Sequence, residues 1–75
     1  MGKANILIVD DEDIRKMMRL ILESEGYGVD EAQSGKEAIE KSKTKVYDIA
    51  LLGIVLPDMQ GTQLLKELRE TTPKI

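Results

Sequence analysis

The sequence predicts an α/β fold built from three successive β-α units, and three observations predict it. Two short segments, Ile6–Val9 and Ile49–Leu52, are continuously apolar, the pattern of strands covered by helices on both faces of a parallel sheet. The stretches between and after them carry apolar residues at helical spacing. The joining segments are short, which implies right-handed crossovers between parallel strands.

Taken in order, Ile6–Val9 is the first strand and runs into the acidic cluster Asp10-Asp11-Glu12-Asp13. Ile14, Met17, Met18, Ile21 and Leu22 then follow i, i+3, i+4, i+7, i+8 spacing, a single apolar stripe on a first helix. Carboxylates at its start suit the free N–H groups and the positive end of the dipole. Gly26 is a natural stop for that helix. Gly28–Ala32 reads as a second strand, and Asp30 and Glu31 within it suit an edge position. Ser34-Gly35-Lys36-Glu37 has capping-box spacing and opens a second helix that buries Ala38 and Ile39 and frays through Ser42-Lys43-Thr44-Lys45. Asp48 leads into the third strand, Ile49–Leu52. A third helix is expected from Thr62 to about Thr71, burying Leu64, Leu65 and Leu68, with Pro73 ending it.

Seventy-five residues make one domain, 1–75, and a chain this short has limited surface to bury. Cysteine and histidine are both absent, which excludes disulfides and argues against a zinc site. Aromatic residues are 3% of the chain, Tyr27 and Tyr47, so an aliphatic core is expected. A net charge of −3 without a basic run speaks against nucleic acid as a main partner. The longest apolar runs, Ile6–Val9 and 49–56, fall far short of the ~20 residues a membrane span needs. The start, Met1-Gly2-Lys3, has no apolar signal region, so a cytoplasmic address is expected.

Asp10 and Asp11 are the first residues that could carry chemistry. In an open α/β sheet ligands bind at the carboxyl ends of the strands, where this pair sits. Adjacent negative charges need a cation or a helix N-terminus to offset their repulsion. Mg²⁺ fits, because it commonly takes one or two carboxylates and keeps several waters. The competing reading is that the cluster caps the first helix, and Glu12 and Asp13 are assigned to capping or solvent.

The segment Ile6-Leu7-Ile8-Val9-Asp10-Asp11-Glu12 and the segment from Tyr47 to Gly61, with its loop Leu56-Pro57-Asp58-Met59-Gln60-Gly61, fit together as one site. In combination they closely resemble the receiver domain of two-component response regulators, over essentially the whole chain. The resemblance implies a flavodoxin-like, doubly wound sheet with strand order 2-1-3, truncated to the N-terminal half of the family's five β-α units. It implies that Asp10 and Asp11 are a Mg²⁺-binding pair, joined by the backbone carbonyl of Val55, and that a histidine kinase is a partner. It also places Gly53 at the position where the family carries the aspartate that attacks a phosphohistidine.

Glycine has no side chain to phosphorylate. Asp48 lies about 16 Å back along the strand at the usual rise per residue, and Asp58 is an ordinary turn residue beyond Pro57. Gly53 can also be read as a permissive backbone position at a strand end. On either reading no acyl phosphate forms. The family's switch hydroxyl and phosphate-binding lysine belong to later strands, and Thr71 and Thr72 fall at a helix end where neither can stand in. Gln60 replaces the family's frequent Asp or Asn, at a cost of ~1 kcal/mol in capping.

The expected function is therefore that of a receiver-domain fragment of a phosphorelay response regulator. It is expected to take no phosphoryl group, to perform no catalysis, to bind Mg²⁺ weakly, and to act by protein–protein association. A homodimer is expected through the third strand (Ile49, Ala50, Leu51, Leu52), whose outer edge would be open, beside an apolar patch on the first helix. The alternatives are a self-associating βαβ structural fragment without a signalling role and a metal-dependent phosphatase. For the phosphatase, Asp11-Glu12-Asp13 mimics an Asp-x-Asp element but has no downstream lysine or acidic motif.

Overall fold

The computed structural model describes residues 3–73 and 75. Met1, Gly2 and Lys74 lie outside the described residues. The elements follow in the order β1 (Asn5–Val9), α1 (Glu12–Ser24), β2 (Gly28–Ala32), α2 (Gly35–Thr44), β3 (Ile49–Leu52) and α3 (Gly61–Thr71). The strands form one parallel sheet in the order β2-β1-β3, as the resemblance implies. Among the described residues no helix is long and apolar enough to cross a membrane.

Central β1 is apolar at every position from Ile6 to Val9 because both of its faces are covered. Its register sets the two halves of the core. Leu7 and Val9 pair with Ala50 and Leu52, and these residues face α2 and α3 in a cluster with Ala32, Ala38, Tyr47, Leu56, Leu64 and Leu68. Ile6 and Ile8 pair with Ile49 and Leu51 and face the other way, with Val29, Met18 and Leu22. Two helices thus cover one side of the sheet and α1 alone covers the other.

That asymmetry leaves the apolar stripe of α1 only partly covered. Met18 and Leu22 pack on the sheet, but no residue of α1 is fully buried. Ile14, Met17 and Ile21 stand open, Met17 at 51% and Ile21 at 53% exposure. On the same side of the sheet Ile49 is 41% exposed. The result is an uncovered apolar face shared by α1 and β3.

Three expectations are corrected. The largest fully buried side chain is Tyr47, so the core is not wholly aliphatic. Its hydroxyl donates to Asp30 Oδ2 at 2.5 Å, which satisfies the polar end of the ring. That bond, with the Lys45 ammonium beside it, holds the Asp30 carboxyl below its ordinary value. Burial, followed by the hydrogen bond to Asp30, pushes the Tyr47 hydroxyl upward. Helix α2 stays regular through Thr44 instead of fraying from Ser42. Ser42 is buried, donates to the Ile39 carbonyl at 2.7 Å, and pairs with Thr71 Oγ1 of α3 at 2.7 Å. Helix α3 begins at Gly61 rather than Thr62, and Leu65 is half-buried where full burial was expected.

The helix ends follow local chemistry. Asp11 caps α1, its Oδ1 accepting from the Ile14 N–H at 3.1 Å. Gly26 turns the chain out of α1 with φ 92°, a left-handed conformation that disfavours any residue with a Cβ. Ser34 caps α2 through the Glu37 N–H at 3.2 Å. Gln60 stands at the cap position of α3 without a side-chain cap bond, as expected.

Candidate functional site

The carboxyl ends of β1 and β3 lie side by side because the two strands pair in parallel, with Val9 opposite Leu52. The residues that follow, Asp10 and Gly53, are thereby brought together. The Gly53 N–H extends the ladder to the Val9 carbonyl at 2.7 Å. A Cβ placed on Gly53 would sit 3.1 Å from Asp10 Oδ1 and 3.1 Å from the Leu56 side chain. Position 53 therefore faces Asp10 directly. A side chain there would need the Asp10 carboxylate and the Leu56 side chain to yield by a few tenths of an ångström.

Asp10 and Asp11 are only partly available as ligands, because the backbone already uses them. Asp10 Oδ1 accepts from the Asp11 N–H at 2.8 Å, and Asp11 Oδ1 is the helix cap. The capping and ligand readings of Asp11 are thus compatible, since a carboxylate has two oxygens. Glu12 and Asp13 lie in the first turn of α1 and are exposed, as assigned from sequence. Glu12 there pairs with Lys16 at 3.2 Å.

Asp10, Asp11, Gln33, Val55, Leu56 and Pro57 line one cleft of about 300 Å³. The three residues proposed from sequence as metal ligands therefore border a single space. Val55 is 77% exposed and forms an isolated antiparallel bridge with Gln60. Among the described residues there is no group of three or more His, Cys, Asp or Glu side chains poised to hold a metal. Two carboxylates and a backbone carbonyl are hard oxygen donors, which fits Mg²⁺ while leaving most of its octahedron to water.

Arg15 and Gln33 were not singled out from sequence. Arg15 Nη1 donates to the Asp10 carbonyl at 2.8 Å, while its Nε pairs with Glu31 Oε1 at 3.1 Å. It fastens the end of β1 to β2 and sets a positive charge beside the acidic pair. Arg19 completes the bridge to Glu31 at 2.7 Å, and Arg19 first and Arg15 second hold the Glu31 carboxyl below its ordinary value. The signal that could have found Arg15 is its position four residues after Asp11, one turn into the helix.

Asp58 is more than the ordinary turn residue its sequence context suggests. Its Oδ1 and Oδ2 accept from the Gly35 and Lys36 N–H groups, each at 2.9 Å. Those two bonds keep its carboxyl below the ordinary aspartate value. Asp48 is likewise engaged, Oδ2 accepting from the Asn5 N–H at 2.9 Å. Thr71 bonds back to the Leu68 carbonyl and to Ser42, at the far end of α3 from the cleft.

Comparison with known proteins places this geometry. The family model for the response regulator receiver domain matches residues 6–75. The chain is 42% identical over 70 residues to the transcriptional regulatory protein ResD of Bacillus subtilis (strain 168), covering 92% of this chain and 29% of that protein. Among solved structures it superposes on a CheY-like response regulator receiver domain protein from Methanospirillum hungatei JF-1 with a TM-score of 0.88. Identity there is 41%, over 93% of this chain and 57% of that one. It also matches the complex of histidine kinase ThkA with response regulator TrrA, with a TM-score of 0.85 and 36% identity, covering 95% of this chain and 62% of that one. The chain thus spans less than a third of the curated relative and little more than half of the solved ones.

Proposed function

The chain belongs to the response regulator receiver domain family, and from that premise we propose that it is a two-component signalling module that takes no phosphoryl group and works through protein association. Receiver domains of response regulators are signalling domains, and this one has the family's flavodoxin-like sheet. The observation that carries the reading is Gly53, a residue without a side chain at the strand-end position that faces Asp10. The other two aspartates flanking β3 do not substitute. Asp58 is held by two backbone N–H groups on α2, and Asp48 lies at the opposite end of β3. No catalysis and a cytoplasmic address go with this reading.

A histidine kinase is the partner class we assign, by analogy with the complex of ThkA with TrrA. The uncovered face of α1 and β3 supports self-association of this chain as a homodimer, with Ile49, Ala50, Leu51 and Leu52 at or near the interface. The test of the phosphoryl reading is direct. Incubated with acetyl phosphate and Mg²⁺, the chain is expected to keep its unmodified mass. A stoichiometric, acid-stable and base-labile adduct would overturn it.

Mg²⁺ is proposed to bind weakly between Asp10, Asp11 and the Val55 carbonyl, where it would offset the charge of the pair. In an NMR titration the shifts are expected at 10–13 and 53–55, saturating only at high metal concentration. Tight binding, or shifts centred on other acidic residues, would show the site to be misassigned.

A further inference from the structure

We infer that Asp58 is a positioning residue, whose carboxylate docks the loop from Gly53 to Gln60 onto the N-terminus of α2 and so holds one wall of the cleft opposite Asp10 and Asp11. Gly35, Lys36 and Glu37 open α2, and their N–H groups have no partner within it. Ser34, the local cap, takes Glu37 alone. The other two donors are taken by Asp58, 23 and 22 residues away in sequence and on a different loop. The end of α2 is therefore completed by the β3–α3 connection and not by its own flank.

A cap would need only one oxygen. Here both oxygens of a charged group bind adjacent N–H groups, which fixes the tilt of the loop as well as its position. The loop behaves as one unit, because the Leu56 N–H donates to the Met59 carbonyl at 2.9 Å and the Gly61 N–H to the Ile54 carbonyl at 2.9 Å. Val55 bridges to Gln60 across it. A second anchor lies beside the first: the Met59 side chain occupies the space that a Cβ on Gly35 would fill. Leu56 is buried in the core below. Val55, Leu56 and Pro57 of this unit are the residues that line the cleft with the acidic pair. Releasing Asp58 would let that wall move while leaving Asp10 and Asp11 in place.

The consequence for metal rests on the proposed Mg²⁺ reading of the cleft, whereas the docking does not. Amide hydrogen exchange separates the two. In Asp58→Ala, Leu56 and Gly61 are expected to exchange about tenfold faster or more while β1 amides stay protected, the mark of a local opening. Mg²⁺ shifts at 53–55 should weaken in the same variant. Ser34→Ala removes the other cap of α2 without touching the loop, so it should lower stability and leave Leu56 and Gly61 protected. Asp58→Asn keeps one acceptor oxygen and should fall between, and it carries the comparison if Asp58→Ala does not fold. Equal exchange at Leu56 and Gly61 in the Asp58 and Ser34 variants would overturn the proposal, leaving Asp58 a helix cap only. Wild-type protein that shows no Mg²⁺ shifts at all would sink the metal reading, with the loop exchange still deciding the docking.

Discussion

Ile49→Lys is expected to halve the mass of the protein in solution. Sedimentation equilibrium at micromolar concentration should give roughly twice the 8.4 kDa chain mass for wild type and a single chain for the variant. Among the described residues β3 has one hydrogen-bonded strand neighbour, β1, so the N–H and C=O groups of its other edge face no strand. The Gly53 N–H points to β1, and alternation along a strand turns the Leu52 N–H to the open side. An apolar strand with such an edge recruits another chain, and a lysine is the common natural block. Ile49 suits the test because it is 41% exposed and its replacement leaves the core intact. Met17→Glu, on the neighbouring exposed face of α1, distinguishes the two surfaces. Dissociation by Met17→Glu alone would put the interface on the helix, and a wild-type monomer of native-like stability would refute self-association.

Gly61→Ala is expected to cost a large share of the folding free energy, although an alanine is chemically the smallest change available. Gly61 is the first residue of α3, and its backbone angles are ordinary, since Gly26 is the one positive-φ residue among those described. The constraint is closeness: an added Cβ would run into the backbone carbonyl oxygen of Gly53. A backbone atom cannot turn aside as a side chain does. The collision also falls on the loop closure made by the Gly61 N–H and the Ile54 carbonyl. Overpacking of this kind costs about 1–3 kcal/mol, against ~4–11 kcal/mol for a domain of this length. A urea midpoint shifted down with an unchanged slope would agree, and an unchanged midpoint would contradict the close approach of the two strand-end segments.

What could be read from the sequence was whatever short-range chemistry decides. The apolar run of β1 lacked alternation because that strand is covered on both faces, and Ser34 marked a helix start through its side-chain cap while Gly26 and Pro73 marked helix ends through their backbone preferences. The strand order came from the family resemblance. What escaped was decided at long range. Asp58 reads as a turn residue because its partners, Gly35 and Lys36, lie more than twenty residues away. Tyr47 reads as one of two stray aromatics because the acceptor for its hydroxyl is Asp30, on another strand. Ser42 looks like a fraying end until Thr71 of α3 is placed against it. The stripe on α1 was found, but periodicity cannot say which part of a stripe a sheet covers. Of the site, Asp10, Asp11, Val55 and Gly53 were legible as motif positions. Arg15 and Gln33 were not, since neither belongs to a motif and both are defined by what surrounds the cleft.

The central claim is that position 53 alone withholds the acceptor from an otherwise family-like strand end. Intact-mass measurement of wild type and Gly53→Asp, side by side with acetyl phosphate and Mg²⁺, tests it most directly. An aspartate there brings its Cβ to 3.1 Å from Asp10 Oδ1 and from the Leu56 side chain, closer than ordinary contact, so a far-UV spectrum matching wild type accompanies the comparison. Wild type is expected to show no phosphoryl adduct, and Gly53→Asp at most a weak one that maps to position 53. An adduct on wild type, or one on the variant that maps to Asp10, Asp11 or Asp58 instead, would contradict the account.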